Sequence, residues 1–299
     1  MSFTEWMKYE SEENDGFPSN LQIDVCKNLG VSVKFDKKYS EFYFISEDKN
    51  EQTSIIDTNK QKIAPPKGIK GSCKWVEDKI YDVWNKEDWD PVDIFRILAW
   101  KTGKINHSKS IETKPKISYD ANWIENGDKF VSLQIPYQAV VTMTELTPAI
   151  TDLIRIRKEY CKNKDAQSAW KAILSLANNN KKSMRGIGTV YLITLLHFIT
   201  GGDFPIYDRF AMASLAIWKL KKSYKKLKIT NASVVRGCKL PSKETTAAQN
   251  ILEDGIYCDY IKLLNEFCKD NYGNEDEWKT NRDVDRALWV FGHFFEVNE

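Results

Sequence analysis

The chain has 299 residues, 42% of them apolar and 12% aromatic, so one large or two moderate domains with a sizeable core can form. A formal net charge of +2 gives no overall sign of a nucleic-acid binder. Six cysteines without Cys-x-x-Cys spacing, the lack of a leader-like start and the lack of a long apolar run predict a cytoplasmic protein with reduced thiols and no membrane partner.

Residues 1–73 are predicted to form a β-containing N-terminal section. Strand-like patterns lie at residues 31–35, 41–45 and 54–56, before a stretch rich in Pro and Gly. Asp36, Glu47 and Lys49 loosely fit the pattern of metal-dependent nucleases, in which carboxylates hold a cation and a lysine aids the water. Because so short a pattern arises by chance in a chain rich in Asp, Glu and Lys, nuclease activity is a minor alternative.

The pattern becomes helical at residue 74. Asp90 as a cap and Pro91 at the first helical position predict the start of a helix that ends near residues 101–104. Residues 105–135 are predicted to be an insertion that ends in a strand.

Later helices are predicted from apolar periodicity and from their caps. Thr147 and Pro148 mark one start, and Asp283 is expected to cap the last helix. His197 lies inside an apolar pattern and is expected to be a core histidine. The predicted helices span residues 147–156, 166–177, 189–199, 209–220, 257–267 and 284–295.

Gly186, Ile187 and Gly188 form a predicted tight turn between two of these helices. Glycine permits a positive φ and a close approach of the backbone to a ligand. The turn also opens a helix, whose free N–H groups and dipole favour an anion such as phosphate. Asp208 stands where the following helix is expected to begin.

This stretch, residues 185–209, resembles the helix-hairpin-helix of the DNA glycosylase superfamily that includes endonuclease III and the adenine mismatch glycosylases. In that family a Gly-hydrophobic-Gly hairpin grips a DNA phosphate, and a catalytic aspartate follows the second helix. The motif residues fall here at the spacing seen in the adenine mismatch glycosylases, and the resemblance is faint outside this stretch. They are Gly186, Gly188, Pro205, Ile206 and Asp208.

The resemblance implies a mainly α fold, with a helix-hairpin-helix glycosylase-like domain at residues 74–299 behind the N-terminal section. It implies that Asp208 is the catalytic residue, although an aspartate before a helix is commonly just a cap. It also implies a double-stranded DNA partner, held by the hairpin. Residues 219–228 add six lysines and no acid, which would suit phosphate contacts as well as an ordinary solvated surface. The predicted DNA contacts are Arg185, Gly186, Ile187, Gly188, Thr189, Lys221, Lys222, Lys225 and Lys226.

A base-binding pocket would need aromatic and hydrogen-bonding walls for a flipped base. The helix that ends at residues 101–104 and the last helix are the predicted sources of these walls. A structural role remains open for both: a glycine-capped helix end for the first and a salt-bridged chain end for the second. The candidate pocket residues are Trp100, Lys101, Tyr207, Asp285 and Trp289.

Two departures from the family pattern refine the expected chemistry. Family members that also cut the backbone carry a lysine two residues after the second hairpin glycine, where this chain has Val190. The four-cysteine iron–sulfur motif near the C-terminus of many members is also missing, since Cys258 and Cys268 lack partners. The resemblance therefore implies a monofunctional glycosylase without an iron–sulfur cluster, other metal or cofactor.

The function expected from the sequence is excision of a damaged, mispaired or modified base from DNA by hydrolysis of its N-glycosidic bond. One alternative is a non-catalytic DNA-binding protein that retains the hairpin. Another is a glycosylase that acts on bulky modified bases of phage DNA in defence, which the N-terminal section and the insertion would fit.

Overall fold

Helices predominate in the part of the protein that the computed structural model describes, as the mainly α prediction requires. None of the helices in that part has the length and hydrophobicity needed to cross a lipid bilayer. The described residues are 22–23, 35–43, 54–58, 60–66, 80, 83–84, 86, 88–90, 93–94, 97, 101, 105–106, 121–122, 132–135, 139–179, 184, 187–223, 228–229 and 238–294.

The chain folds into two compact units, each assembled from separate stretches of sequence. The sections 1–73 and 74–299 and the insertion at 105–135 stay predictions. The first unit contains the described parts of Met1–Gly71, Tyr207–Leu240 and Asn250–Glu299, and the second contains those of Ser72–Ile206 and Pro241–Gln249.

The α-helices among the described residues are α1 (Met143–Asn163), α2 (Ala166–Asn179), α3 (Thr189–Ile199), α4 (Arg209–Ser223), α5 (Thr246–Gln249), α6 (Ile256–Tyr272), α7 (Glu277–Thr280) and α8 (Arg282–His293). A 3₁₀ helix covers Lys37–Tyr43. The strands are β1 (Gln22–Ile23), β2 (Ile55–Ile56), β3 (Lys62–Ile63), β4 (Ile105–Asn106), β5 (Ala121–Asn122), β6 (Ser132–Ile135), β7 (Ala139–Thr142) and β8 (Lys228–Ile229). They form two parallel pairs, β1 with β8 and β4 with β5, and two antiparallel pairs, β2 with β3 and β6 with β7.

The predicted bounds of α3 are confirmed at both ends, while α2, α4 and α6 extend a few residues beyond theirs. Gly188 caps the start of α3 in an extended conformation. Gly201 and Gly202 end the helix because both adopt a positive φ, which turns the chain away from the helix axis. The predicted strands at 54–56 and in 129–135 are present as β2 and β6.

The predicted start of α1 at Thr147 is wrong, because the helix begins at Met143 and contains Pro148. Pro148 is the sixth residue of α1, so it removes the N–H that would bond the Thr144 carbonyl one turn earlier. The predicted apolar stripe is largely confirmed, since Ile150, Leu153 and Ile156 are buried.

The predicted strand at 41–45 is wrong over its described residues, which lie in the 3₁₀ helix Lys37–Tyr43. Helical spacing places Tyr39 and Phe42 on one buried face. There the Tyr39 ring stacks at 6.0 Å on Phe291 of α8. Aromatic packing in the first unit therefore overrides the strand preference of this short segment.

The last helix is capped two residues earlier than predicted. Asn281 is its N-cap, and the Asn281 side chain accepts a hydrogen bond from the Asp283 N–H at 3.1 Å. Asp283 instead lies in the first turn, where its carboxylate binds Arg286 at 2.9 Å. The prediction of Asp283 as the cap is wrong because the asparagine two residues earlier satisfies the free N–H groups.

A helix start is confirmed at Asp90 in the second unit. The Asp90 carboxylate accepts the Asp93 N–H at 3.2 Å, and the Asp93 carboxylate accepts the Asp90 N–H at 2.9 Å. This reciprocal pair is a capping box. The fully buried Asp93 also binds the Lys86 ammonium at 2.8 Å, and Ile94 and Ile97 are fully buried behind it.

Candidate functional site

The turn between α2 and α3 is anchored in the core of the second unit by Ile187. Only 1% of this residue is exposed, and its N–H donates to the Met184 carbonyl at 3.3 Å. The apolar residue between the two predicted glycines therefore supports the turn from inside and has no free side chain for a ligand. Arg185 and Gly186 lie outside the described residues.

The N-terminus of α3 presents three backbone donors. The N–H groups of Gly188, Thr189 and Val190 have no acceptor among the described residues, whereas the Tyr191 N–H bonds the Gly188 carbonyl at 3.0 Å. The first turn of any helix leaves such donors, and the helix dipole adds partial positive charge there. The arrangement can hydrogen-bond an anionic oxygen.

Gly188 is exposed, and the described residues around it give no steric reason for a glycine at this position. Its φ of −95° is open to any residue, and a Cβ built on it would meet no described atom within 4 Å. The missing side chain therefore leaves open space directly above the donors of α3. A bulky ligand group could approach the backbone there, as a phosphate would.

Thr189 contributes its backbone but not its side chain to this surface. The residue is buried, and its hydroxyl donates to the carbonyl of Pro241 at 2.6 Å. Of the predicted hairpin contacts in the described part of the chain, the side chains of Ile187 and Thr189 are thus internal, and the backbone N–H groups at the helix start are left for a ligand.

The far end of α3 is held by side chains from α1. Arg157 is buried and donates from Nη1 to the carbonyls of Phe198 and Ile199, at 3.1 and 2.6 Å. The Tyr160 hydroxyl donates to the Asp203 carboxylate. The guanidinium satisfies carbonyls that a helix end leaves without partners, so the chain leaves α3 in a fixed direction.

His197 is confirmed as a core histidine. It is buried, its Nδ1 lies 2.7 Å from the Phe204 carbonyl, and the Trp84 ring packs against it at 4.8 Å. A Cβ on Gly202 would overlap Trp84, which explains the glycine there. These contacts give His197 a structural role in the exit from α3.

Asp208 lies in the first unit, directly before α4. Its Oδ1 accepts the Phe210 N–H at 2.8 Å, and its carbonyl accepts the Met212 N–H at 2.9 Å, so it caps the helix. Within the described part of the chain, Oδ2 has no hydrogen-bond donor. The residue is half-buried. One carboxylate oxygen is therefore occupied by the cap and the other is available to a ligand.

Three buried side chains lie close to this carboxylate. Burial and the Asp208 charge raise the pKa of the Cys238 thiol to about 12. Burial, with smaller effects of Asp285 and Asp208, raises the pKa of Tyr260 well above its usual value. Tyr207 is 1% exposed and donates its hydroxyl to the Cys238 carbonyl. These three side chains stay neutral, and they form an apolar wall beside the charged Asp208 carboxylate.

Helix α8 adds two of the predicted pocket residues to the same part of the first unit. Asp285 raises the pKa of Tyr260, as Asp208 does, so both carboxylates lie near that phenol. The half-buried Trp289 ring lies 4.1 Å from the His293 ring, which in turn packs at 3.8 Å on Phe210. Asp285 also binds Arg282 at 2.9 Å, as the salt-bridge alternative predicts.

Comparisons with protein-family models, with curated proteins and with solved structures found no match for this chain. The assignment of a function therefore depends on the residues described above.

The lysine-rich stretch at 219–228 begins with an internal contact. Lys219 on α4 binds the Glu266 carboxylate of α6 at 2.5 and 2.7 Å. Its charge thus holds two helices together and is offset by Glu266. Lys221 and Lys222 lie within the bounds of α4, while Lys225 and Lys226 lie outside the described residues. Their contacts with DNA stay predictions.

Asp36 has a structural role where the nuclease alternative needs a metal ligand. It is buried, and its carboxylate accepts the Lys38 N–H at 2.9 Å and the Thr58 N–H and hydroxyl at 2.6 and 2.7 Å. Glu47 and Lys49 lie outside the described residues. Across the described ranges no group of three or more His, Cys, Asp or Glu side chains is arranged to hold a metal ion.

In the first unit Tyr207 directly precedes Asp208, Asp285 lies near Tyr260 as Asp208 does, and Trp289 is linked to Phe210 through the His293 ring. Lys101 is half-buried in the second unit, and Trp100 lies outside the described residues. Sequence reasoning missed the contribution of Tyr260 and Cys238. Tyr260 lay in a predicted helix and Cys238 was counted only among the reduced thiols, and no pattern linked residues so far apart to Asp208.

Proposed function

We propose that the protein is a monofunctional DNA N-glycosylase that removes a damaged, mispaired or modified base. The observation that carries this proposal is the Asp208 carboxylate, which uses one oxygen to cap α4 and leaves the other without a donor among the described residues. A carboxylate that only capped the helix would need no apolar wall of buried phenols beside it.

The chemistry of base release matches such a carboxylate. Breaking an N-glycosidic bond builds positive charge on the deoxyribose, and a fixed negative charge close by stabilises that transition state. The neutral Tyr207 and Tyr260 rings lower the local dielectric, which strengthens the interaction. The free Oδ2 can also orient the attacking water. Val190 has no amine, so a Schiff base with the sugar is not expected at that position.

The N-terminus of α3 supports a duplex partner. Its three open N–H groups and the space above Gly188 suit a phosphate of the DNA backbone. The phosphate would be bound by backbone donors and by the helix dipole, which is compatible with a chain of low net charge.

Asp208→Asn tests the proposal. Asparagine keeps the size of the side chain and can still accept the Phe210 N–H, so we expect normal folding and normal duplex affinity. Losing a preorganised charge at a developing cation typically costs about 3–4 kcal/mol, a few hundredfold in rate. The substrate comes from a screen of duplexes with damaged, mispaired and modified bases. Single-turnover base release then measures the loss.

Asp165→Asn is the matched control, because Asp165 caps α2 in the same way and binds the Ser168 N–H at 3.0 Å. It should leave the rate of base release unchanged. If Asp208→Asn releases base at close to the parental rate, Asp208 is only a cap and the catalytic assignment is wrong.

The capping bond itself favours a second candidate, a DNA-binding protein without catalysis. The Phe210 N–H already accounts for an aspartate at this position, as it would in any helix start. This candidate predicts that the parent protein binds duplex DNA but releases no base from any duplex in the screen. The two candidate functions therefore predict different results for the parent protein itself, and base release by the parent protein distinguishes them before any variant is made.

A further inference from the structure

The turn that leads into α3 is held by a segment far away in sequence. Residues Pro241–Gln249 belong to the second unit, although the sequence on both sides of them belongs to the first. We name Pro241–Gln249 the clasp segment. It includes the short helix α5 and a turn closed by the Thr245 N–H on the Ser242 carbonyl at 3.1 Å.

One end of the clasp segment binds the start of α3. The carbonyl of Pro241 accepts the Thr189 hydroxyl at 2.6 Å. Thr189 is the first residue of α3 and directly follows Gly188, so this bond fixes the backbone that carries the open N–H groups. A single strong hydrogen bond here sets where those donors point.

The middle of the clasp segment binds the end of α2 and the turn. Lys243 donates from Nζ to the Ala177 carbonyl at 3.2 Å and more weakly to the Met184 carbonyl at 3.5 Å. The last carbonyls of a helix lack partners inside it, and an ammonium group suits them in charge and in number of donors. Lys243 therefore joins the end of α2 to the turn.

The far end of the clasp segment is fixed in the core. The fully buried Trp170 of α2 donates from its indole N–H to the carbonyl of Ala248 at 3.0 Å, and Ala248 is itself fully buried. The contacts thus reach α2, the turn and α3 from one stretch of chain. Because both ends of the clasp segment are held, Lys243 in its middle can stay in place against the Ala177 and Met184 carbonyls.

We propose that the clasp segment positions the phosphate-binding turn through the side chains of Lys243 and Thr189, neither of which touches DNA. This rests on the proposed function, because it takes a duplex phosphate as the ligand of the turn. Lys243 then raises affinity for duplex DNA by ordering the donors of α3. Its own charge is directed at helix carbonyls.

Lys243→Met and Lys243→Arg form the matched pair that tests this role. Methionine keeps the apolar stem and loses the donors, whereas arginine keeps a cation with several donors. Lys171→Met is the charge control, because Lys171 is exposed on α2. We expect duplex affinity to fall at least several-fold in Lys243→Met alone, and Lys243→Arg to restore most of it.

The salt dependence of binding separates positioning from direct contact. A lysine that touches a phosphate contributes roughly 0.9 to the slope of log affinity against log salt. We expect an unchanged slope in Lys243→Met and an unchanged single-turnover rate at saturating DNA. A slope lowered by one contact, or an affinity equal to that of the parent, would overturn the proposal.

Amide hydrogen exchange without DNA tests the clasp segment independently of any activity. Exchange at Ile187–Val190 should become faster in Lys243→Met and in Thr189→Val. It should stay at the parental rate in Lys171→Met and Thr189→Ser, since serine keeps the hydroxyl. If exchange is unchanged in both Lys243→Met and Thr189→Val, the positioning role of the clasp segment is refuted even if the protein binds DNA. If exchange is faster in these two variants but the parent protein binds no duplex, the clasp segment still positions the turn and the proposed function is refuted.

Discussion

Gly292→Ala gives a quantitative test of how α8 sits against α4. Gly292 lies where the two helices meet, and a Cβ there would fall 2.7 Å from the carbonyl carbon of Phe210 and 2.8 Å from the Phe210 Cβ, with the carbonyl oxygen closer still. Two of these atoms are backbone. A side-chain rotation therefore cannot relieve the overlap, and the helices have to separate.

The size of the effect follows from two opposing terms. Overpacking a tight core by one methyl group typically costs about 1–3 kcal/mol, and a backbone obstacle places this site near the upper end. Alanine in a helix gains about 1 kcal/mol over glycine. The expected net loss in the free energy of unfolding is therefore about 2 kcal/mol. The separation also strains the bond between the Ser214 hydroxyl on α4 and the Leu288 carbonyl on α8, now 2.7 Å.

Urea unfolding followed by circular dichroism measures this loss. Gly188→Ala is the control, because its Cβ meets nothing within 4 Å, and its unfolding free energy should change by less than about 1 kcal/mol. A Gly292→Ala protein as stable as this control would show that α8 and α4 do not approach as closely as described. Because Asp208 opens α4, base release should decrease along with stability in Gly292→Ala.

Two further predictions concern the space beside Gly188 in the second unit and the buried tyrosines of the first unit. Gly188→Val should weaken duplex binding while the protein stays folded, because the branched side chain fills the space proposed for a phosphate and the poorer N-cap costs only about 1 kcal/mol; unchanged affinity in DNA titration would refute that site. Burial raises the pKa of Tyr207, Tyr257 and Tyr260 well above their usual value, whereas unfolded phenols ionise near pH 10. Their contribution to stability is thus complete below pH 10 and is lost as the pH rises further. Urea midpoints should decrease above pH 10, and phenolate absorbance from all tyrosines in a still folded protein would contradict this.

Local signals in the sequence were sufficient to predict a helix where a cap precedes an apolar run and a glycine follows it. The bounds of α3 follow from Gly188 before it and Gly201 after it, and the helix start at Asp90 follows from Asp90 as a cap and Pro91 behind it, although the part of Asp93 in the capping box was not predicted. The position of Asp208 at the start of α4 is likewise a local pattern. The physical reason is that caps and turns depend on neighbours only a few residues away.

Contacts between distant residues left no such signal. The Thr189 hydroxyl finds its acceptor 52 residues later, and the Asp208 carboxylate lies near Tyr260, whose own pattern indicated only a buried helix face. A strand was predicted at residues 41–45, because nothing local in the sequence reveals Phe291, on which the neighbouring Tyr39 stacks. Periodicity shows that a residue is buried and does not identify its partner.

The alternation of the two units along the chain also sets the order in which the protein can assemble during synthesis. Translation crosses from one unit to the other after residues 71, 206, 240 and 249. A ribosome adds about 5–20 residues per second, so α2 and α3 wait on the order of several seconds for Pro241–Gln249. Helix α4 meets α6 first and waits longer for α8, so the part of α4 that packs on α8 stays uncovered until then. No single cut separates the units, so a fragment such as 72–206 lacks part of its own fold.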